Sequence, residues 1–118
     1  LPEKNEKEKK AKKIIKQNAT IYAIEIPMRT AKNCFSVLEL NKLIISKVNP
    51  NSISDLGVSS EFASSGIKSA CMNVWINLNE VNNDQYRKKT LSFTKMLIKK
   101  SEEIHRYNFD FIKNLIYD

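Results

Sequence analysis

The chain has 118 residues, enough for one small domain, and 42% of them are apolar, which argues for a packed core and against global disorder. Two Gly and three Pro are too few for the many turns of an all-β protein, so the chain reads as mostly helical. The net charge of +7 raises nucleic acid as a partner. However, 17 of the 20 cationic residues are Lys, in a chain also rich in Asn and Ile, whereas base-reading surfaces lean on Arg. Composition therefore favours no nucleic-acid partner.

Residues 1–24 open with Leu1-Pro2 and a Lys/Glu run. Glu3–Lys7, Glu6–Lys10 and Glu8–Lys12 are i,i+4 pairs in the favourable order for an exposed helical face, and Ala11, Ile14, Ile15, Ala19 and Tyr22 supply its apolar side. Pro27 should break or kink this helix near Ile26. A second helix is expected over about residues 28–47. It carries Ala31, Cys34, Phe35, Leu38 and Ile45 at helical spacing, with Val37 and Ile44 widening the stripe enough to meet more than one neighbour.

The stretch from Asn49 to Gly57 is the hinge. Pro50 should stop the incoming helix near Val48, and Asn49 or Asn51 can cap the next one. Ser52 and Asp55 have the spacing of a capping box. Amides, hydroxyls and a carboxylate thus gather at the positive end of a helix dipole. That arrangement suits either plain capping or the binding of a ligand's carbonyl, carboxylate or phosphate groups.

The next helix should run from about Ile53 to Asn79, roughly 40 Å at 1.5 Å per residue. Glu61, Lys68 and Asn79 form a narrow wet strip. Ile53, Ile67, Cys71, Trp75 and Leu78 face away from a separate line made of Asp55, Ser59, Phe62, Gly66, Ser69, Asn73 and Asn77. That line is polar or small nearly throughout. It reads either as the wall of a polar cleft or as a row of interhelical Asn hydrogen bonds.

Asn82-Asn83-Asp84 signals the cap of a last helix, with Tyr86, Thr90, Phe93, Leu97, Ile104, Phe111 and Leu115 close to a 3.6-residue period. His105 is the only histidine and reads as a surface residue. Cys34 and Cys71 lie in apolar helical patterns without metal-like spacing, as free thiols of a reducing compartment would. No apolar run approaches the ~20 residues of a membrane span and no signal peptide is evident, so a cytoplasmic protein with no membrane partner is expected.

No glycine-rich phosphate loop, Cys/His metal set or nucleophile–His–acid pattern occurs, and no metal is expected. Asp55 is the carboxylate nearest the expected cleft and the best catalytic candidate in the chain. At a helix N-terminus its negative charge is favoured, which suits holding a cation or a polar N–H group rather than donating a proton.

Two separated motifs carry a resemblance. Asn49-Pro-Asn-Ser-Ile-Ser-Asp-Leu-Gly-Val58, followed by Met72-Asn-Val-Trp-Ile-Asn-Leu78, resembles the cyclodeaminase/cyclohydrolase domain of the formiminotransferase-cyclodeaminase family. Leu1-Pro2-Glu3-Lys4, Ile26-Pro27-Met28 and Asn83-Asp84-Gln85-Tyr86 extend it over nearly the whole chain. The resemblance implies an all-α antiparallel bundle of about four or five helices that dimerises and binds tetrahydrofolate as substrate or carrier.

Two reactions are implied: expulsion of ammonia from formimidoyltetrahydrofolate late in histidine breakdown, or hydrolysis of methenyltetrahydrofolate. Asn49, Asn51, Ser54 and Asp55 would line the folate site, supported by Asn73 and Asn77. The chain departs from the family in lacking its N-terminal helices, which begin with a Pro-Gly-Gly-Gly-Ser-like segment and carry the acid usually assigned to catalysis. Val48 also stands where the family has Gly before Asn-Pro-Asn. Residues 1–118 are thus read as one incomplete helical domain of a folate-dependent one-carbon enzyme, inactive alone if the missing acid is essential. The alternatives are a non-catalytic dimerisation or folate-binding module and, less favoured, a basic nucleic-acid binder.

Overall fold

The computed structural model describes residues 5–117. Three long helices dominate them, with no strand: α1 (Glu6–Ile44), α2 (Ile53–Leu78) and α3 (Asp84–Tyr117), with a one-turn 3-10 helix at Pro50–Ser52. The all-α expectation holds, but the described residues form three helices rather than four or five. The difference is Pro27, which lies inside an unbroken α1. Its fixed φ is helical, and only one N–H is lost from the ladder. The carbonyl thereby left unpaired is that of Ala23, and both residues border an open recess. The pairing of Glu3 with Lys7, and the opening Leu1-Pro2-Glu3-Lys4, lie outside the described residues.

The ends of the helices follow from short polar side chains. Asn5 Oδ1 accepts from Glu8 N–H at 2.8 Å to start α1, and Asn83 Oδ1 accepts from Tyr86 N–H at 3.0 Å to start α3. The hinge is built differently from the capping box expected of Ser52 and Asp55. Ser52 makes no side-chain cap, because its backbone (φ −106°, ψ 2°) is already curled rather than extended. Asn49 Oδ1 accepts from Asn51 N–H at 3.0 Å, and the 3-10 turn then runs directly into α2, with Ile53 N–H on the Pro50 carbonyl. A cap one turn earlier has replaced the box.

The helices run up, down and up. Cys34 of α1 meets Gly66 of α2, and Asn41 meets Ser59 and Ser60, so α1 and α2 are antiparallel. Trp75 Nε1 donates to Thr94 Oγ1 at 2.8 Å, Lys68 pairs with Glu102 at 3.3 Å, and Asn108 Nδ2 donates to Ser60 Oγ at 3.1 Å. These pairs make α2 and α3 antiparallel too. Lys32 over the Phe93 ring and Lys42 over the Tyr107 ring then tie α1 to α3 in parallel.

The main core joins Ala31, Leu38, Ala63, Ile67, Cys71 and Leu97. Smaller clusters sit at each end: Ile24, Val74, Leu78 and Val81 at one, Ile45, Ile53 and Leu56 at the other. The buried stripe expected on α2 is therefore present. Gly66 has a packing reason, since a Cβ there would lie 2.8 Å from Cys34 Sγ.

Two expected contacts are missing. Ala11, Ile14, Ile15, Ala19 and Tyr22 are all exposed, because α1 is 39 residues long against 26 for α2 and overhangs it. Toward that end Gln17 donates to the Glu80 carbonyl at 3.0 Å and accepts from Asn82 N–H at 3.3 Å. Val37 and Ile44 are exposed as well, so the wide stripe of α1 meets no second neighbour on that side. The described residues extend 72 × 22 × 18 Å, and their radius of gyration is 19.9 Å. A compact domain of this length would have about 13 Å. The molecule is a rod with one broad side left open.

Candidate functional site

Two recesses border α2. The first, about 520 Å³, lies between α1 and α2 and is lined by Ile26, Pro27 and Thr30 on one side and Gly66, Ser69, Asn73 and Asn77 on the other. Its size falls within the usual range for small-molecule sites. Close approach of the two helices at Gly66 and Cys34 sets its floor, and the proline in α1 forms part of its wall. Asn77 Nδ2 donates to the Asn73 carbonyl of its own helix at 3.0 Å, while Asn73 is exposed. Of the two readings of the polar line, its second half is thus a cleft wall.

The second recess, about 320 Å³, lies between the first turns of α2 and the last turns of α3 and includes Ser54, Gly57, Val58, Phe109, Ile112 and Ile116. At its edge His105 Nε2 and Glu61 Oε1 are 2.7 Å apart. His105 is half-buried against Glu61 and Phe109 rather than a free surface residue. The strip containing Glu61 and Lys68 is correspondingly the edge that α3 covers.

The expected site residues therefore fall into separate places. Asn49, Asn51, Ser54 and Asp55 are exposed around the hinge, with Ser54 on the apolar second recess and the other three on neither recess. Asn73 and Asn77 share the first recess. Asp55 and Asn73 are 18 residues apart on one helix, a rise of about 27 Å. Asp55 and Asn73 therefore border no common recess within one chain.

Sequence reasoning missed the interhelical amides. Asn41 Nδ2 donates to Ser59 Oγ and Ser60 Oγ, each at 3.1 Å, and Asn108 reaches the same Ser60 from α3. Asn41, Ser60 and Asn108 are all buried, so this node locks the three helices in one register. Asn108 Oδ1 has no hydrogen-bond partner among the described residues. The available signal was periodicity. Asn41 lies one turn after Leu38, and Asn108 one turn after Ile104, both on apolar stripes. Cys34 and Cys71 are free thiols, and burial pushes the Cys71 thiol above its ordinary range. Among the described residues no group of His, Cys, Asp and Glu is arranged to hold a metal, and no helix is long and apolar enough to cross a membrane.

An all-helical chain with the Asn-Pro-Asn hinge at one end of α2 and the Asn73–Asn77 recess at the other belongs to the formiminotransferase-cyclodeaminase family, whose model matches residues 1–95. A methenyltetrahydrofolate cyclohydrolase of Methylorubrum extorquens (strain AM1) is 26% identical over 116 residues. That alignment covers 98% of this chain and 56% of the relative, so the chain spans little more than half of that protein's length. The first recess lies wholly inside the family match. The second depends on α3 residues beyond it, including His105 and Ile112.

Proposed function

We propose that this chain forms part of a folate-linked one-carbon enzyme of the cyclohydrolase or cyclodeaminase type. Support comes from the Asn73–Asn77 recess, a small-molecule-sized groove with apolar walls at Ile26, Pro27 and Ala70, amides at Asn73 and Asn77 and hydroxyls at Thr30 and Ser69, contained within the family-matched residues. A pterin presents alternating N–H donors and carbonyl or ring-nitrogen acceptors, and paired amides can answer both. The family resemblance adds Asn49, Asn51, Ser54 and Asp55 at the hinge as a second candidate group, apart from that recess.

Both candidate reactions break or form the bond between one carbon, already carried on one folate nitrogen, and the second folate nitrogen. Hydrolysis adds water to the cationic methenyl bridge and opens it to the formyl compound, with release of a proton. Deamination closes the bridge from the formimino compound, takes up a proton and releases ammonia. Each needs precise positioning of the carbon and one group that moves a proton. The name of the curated relative favours hydrolysis.

A non-catalytic folate-binding module is the second reading. It is favoured by a specific feature: none of the residues around the first recess is ionisable. Proton transfer must then come from elsewhere, from Asp55 or from a segment outside this chain.

Binding and turnover are separable by experiment. Titration with 5-formyltetrahydrofolate should show binding that Asn73→Ala weakens about tenfold, equivalent to about 1.4 kcal/mol. Unchanged affinity in that variant removes the recess from the site. Loss of the methenyl chromophore on adding the chain supports hydrolysis, release of ammonia from the formimino compound supports deamination, and binding without either supports the module.

A further inference from the structure

The second recess differs in kind from the first. Where α2 from Ser54 to Glu61 faces the last turns of α3, its walls are mostly carbon, from Val58, Phe109, Ile112 and Ile116. Gly57 keeps the space open, since a Cβ there would lie 3.0 Å from Ile112 Cδ1. Its volume, about 320 Å³, is roughly twice the 150 Å³ or so that accepts one benzene ring, which leaves room for about a dozen non-hydrogen atoms. From Ser54 to Glu61 along α2 it is about 10 Å long.

One polar group on this recess lacks a counterpart. Ser60 is only 2% exposed, and its Oγ accepts from Asn41 Nδ2 and from Asn108 Nδ2, each at 3.1 Å. Its own hydroxyl proton has no acceptor among the described residues. The buried hydroxyls of Thr94 and Ser101 in α3 behave differently. They donate to the carbonyls of Leu91 and Ile98, at 2.9 and 2.8 Å. Leaving a buried donor unmet is costly, so the Ser60 end of the recess calls for an oxygen acceptor.

The charges nearby decide what kind of oxygen. Glu61 borders the same end, and its carboxylate already lies 2.7 Å from His105 Nε2. A second anion there would be repelled by Glu61 and would compete for His105. Lys113 is exposed at the opposite end, about 7 Å further along α3 than Asn108. A neutral oxygen at Ser60, with an uncharged chain behind it, satisfies both the donor and the walls.

We propose that the second recess binds a neutral aliphatic molecule with one oxygen acceptor, of the medium-chain alcohol or ketone class. Its oxygen accepts from Ser60, and its chain lies against Val58, Ile112 and Ile116. Such a site is separate from the Asn73–Asn77 recess and does not depend on folate.

Calorimetric titration of the full chain with 1-octanol should show saturable binding, with a dissociation constant on the order of 0.1–1 mM. Ile112 and Ile116 methyl signals should shift in step with it. The ketone 2-octanone, an acceptor with no donor, should bind as tightly, because Ser60 supplies the proton. Val58→Trp should abolish binding by filling the recess. Val58 is 53% exposed, so urea unfolding of that variant should stay close to wild type. Asn73→Ala, and 5-formyltetrahydrofolate as competitor, should leave octanol binding unchanged.

Absence of saturable binding by either compound would overturn the proposal and give the recess to another polypeptide segment. Binding that survives Val58→Trp, or that falls with Asn73→Ala, would overturn it by placing octanol elsewhere. Octanol binding without 2-octanone binding would overturn the role of Ser60 as donor. Octanol binding in a chain that takes no folate leaves this site standing and removes the folate reading, and folate binding without octanol binding does the reverse.

Discussion

The α1–α2 pair has two long sides, and they differ in almost every respect. The side toward α3 buries Leu38, Ile67 and Cys71, and it pairs Trp75 with Thr94, Glu61 with His105 and Lys68 with Glu102. The opposite side leaves Phe62, Met72, Ile76, Val37 and Leu40 in solvent and has only the Asn73–Asn77 recess between the helices. Yet both sides carry large apolar residues in the sequence. The lesson is that periodicity reports how much of a helix wants cover, not whether this chain provides it.

Substitution tests that contrast most directly. Ile67→Ala on the covered side should cost about 2–5 kcal/mol in urea unfolding, because it empties a site with no solvent access. Phe62→Ala on the open side should change the unfolding of the dilute, dispersed chain by less than about 0.5 kcal/mol. Equal losses would show that the open side is already packed within one chain.

Gly66 lies at the boundary of the two sides and sharpens the comparison. A Cβ at Gly66 must displace Cys34 Sγ, at a cost of about 1–3 kcal/mol, against which Ala regains up to about 1 kcal/mol of helix propensity. Gly66→Ala should therefore destabilise modestly, and adding Cys34→Ala should recover much of the loss. A double-mutant cycle measured by denaturant melts checks the coupling. Strict additivity would place the close approach of α1 and α2 elsewhere.

The smallest effect concerns Cys71. Burial raises its thiol above the ordinary range in the folded chain, so the thiol stays neutral where the unfolded chain ionises. The stabilisation is complete below the unfolded thiol range and is lost as pH rises through it toward the folded value. Unfolding free energy should thus fall more steeply above about pH 8.5 in the wild-type chain than in Cys71→Ala. Thiol titration of the native protein should also find Cys71 slower to react than the half-buried Cys34. Identical slopes would show that Cys71 is solvated.

The sequence by itself determined the all-helical class, the α2 boundaries to within a residue, the Asn83 cap and the apolar stripe of α2. Each of these follows from local rules of spacing, capping and composition acting over a few turns. It also carried the family resemblance that the comparison established. Only the tertiary structure decided that Pro27 stays inside α1, because a proline ends a helix or not according to whether the freed carbonyl finds water or a neighbour. It likewise decided that Asn41 and Asn108 meet at Ser60, and that Asp55 and Asn73 share a face without sharing a recess. Those facts depend on where three separate helices are placed in space. Residues five turns apart are neighbours in pattern, and nothing local reveals whether they border one recess.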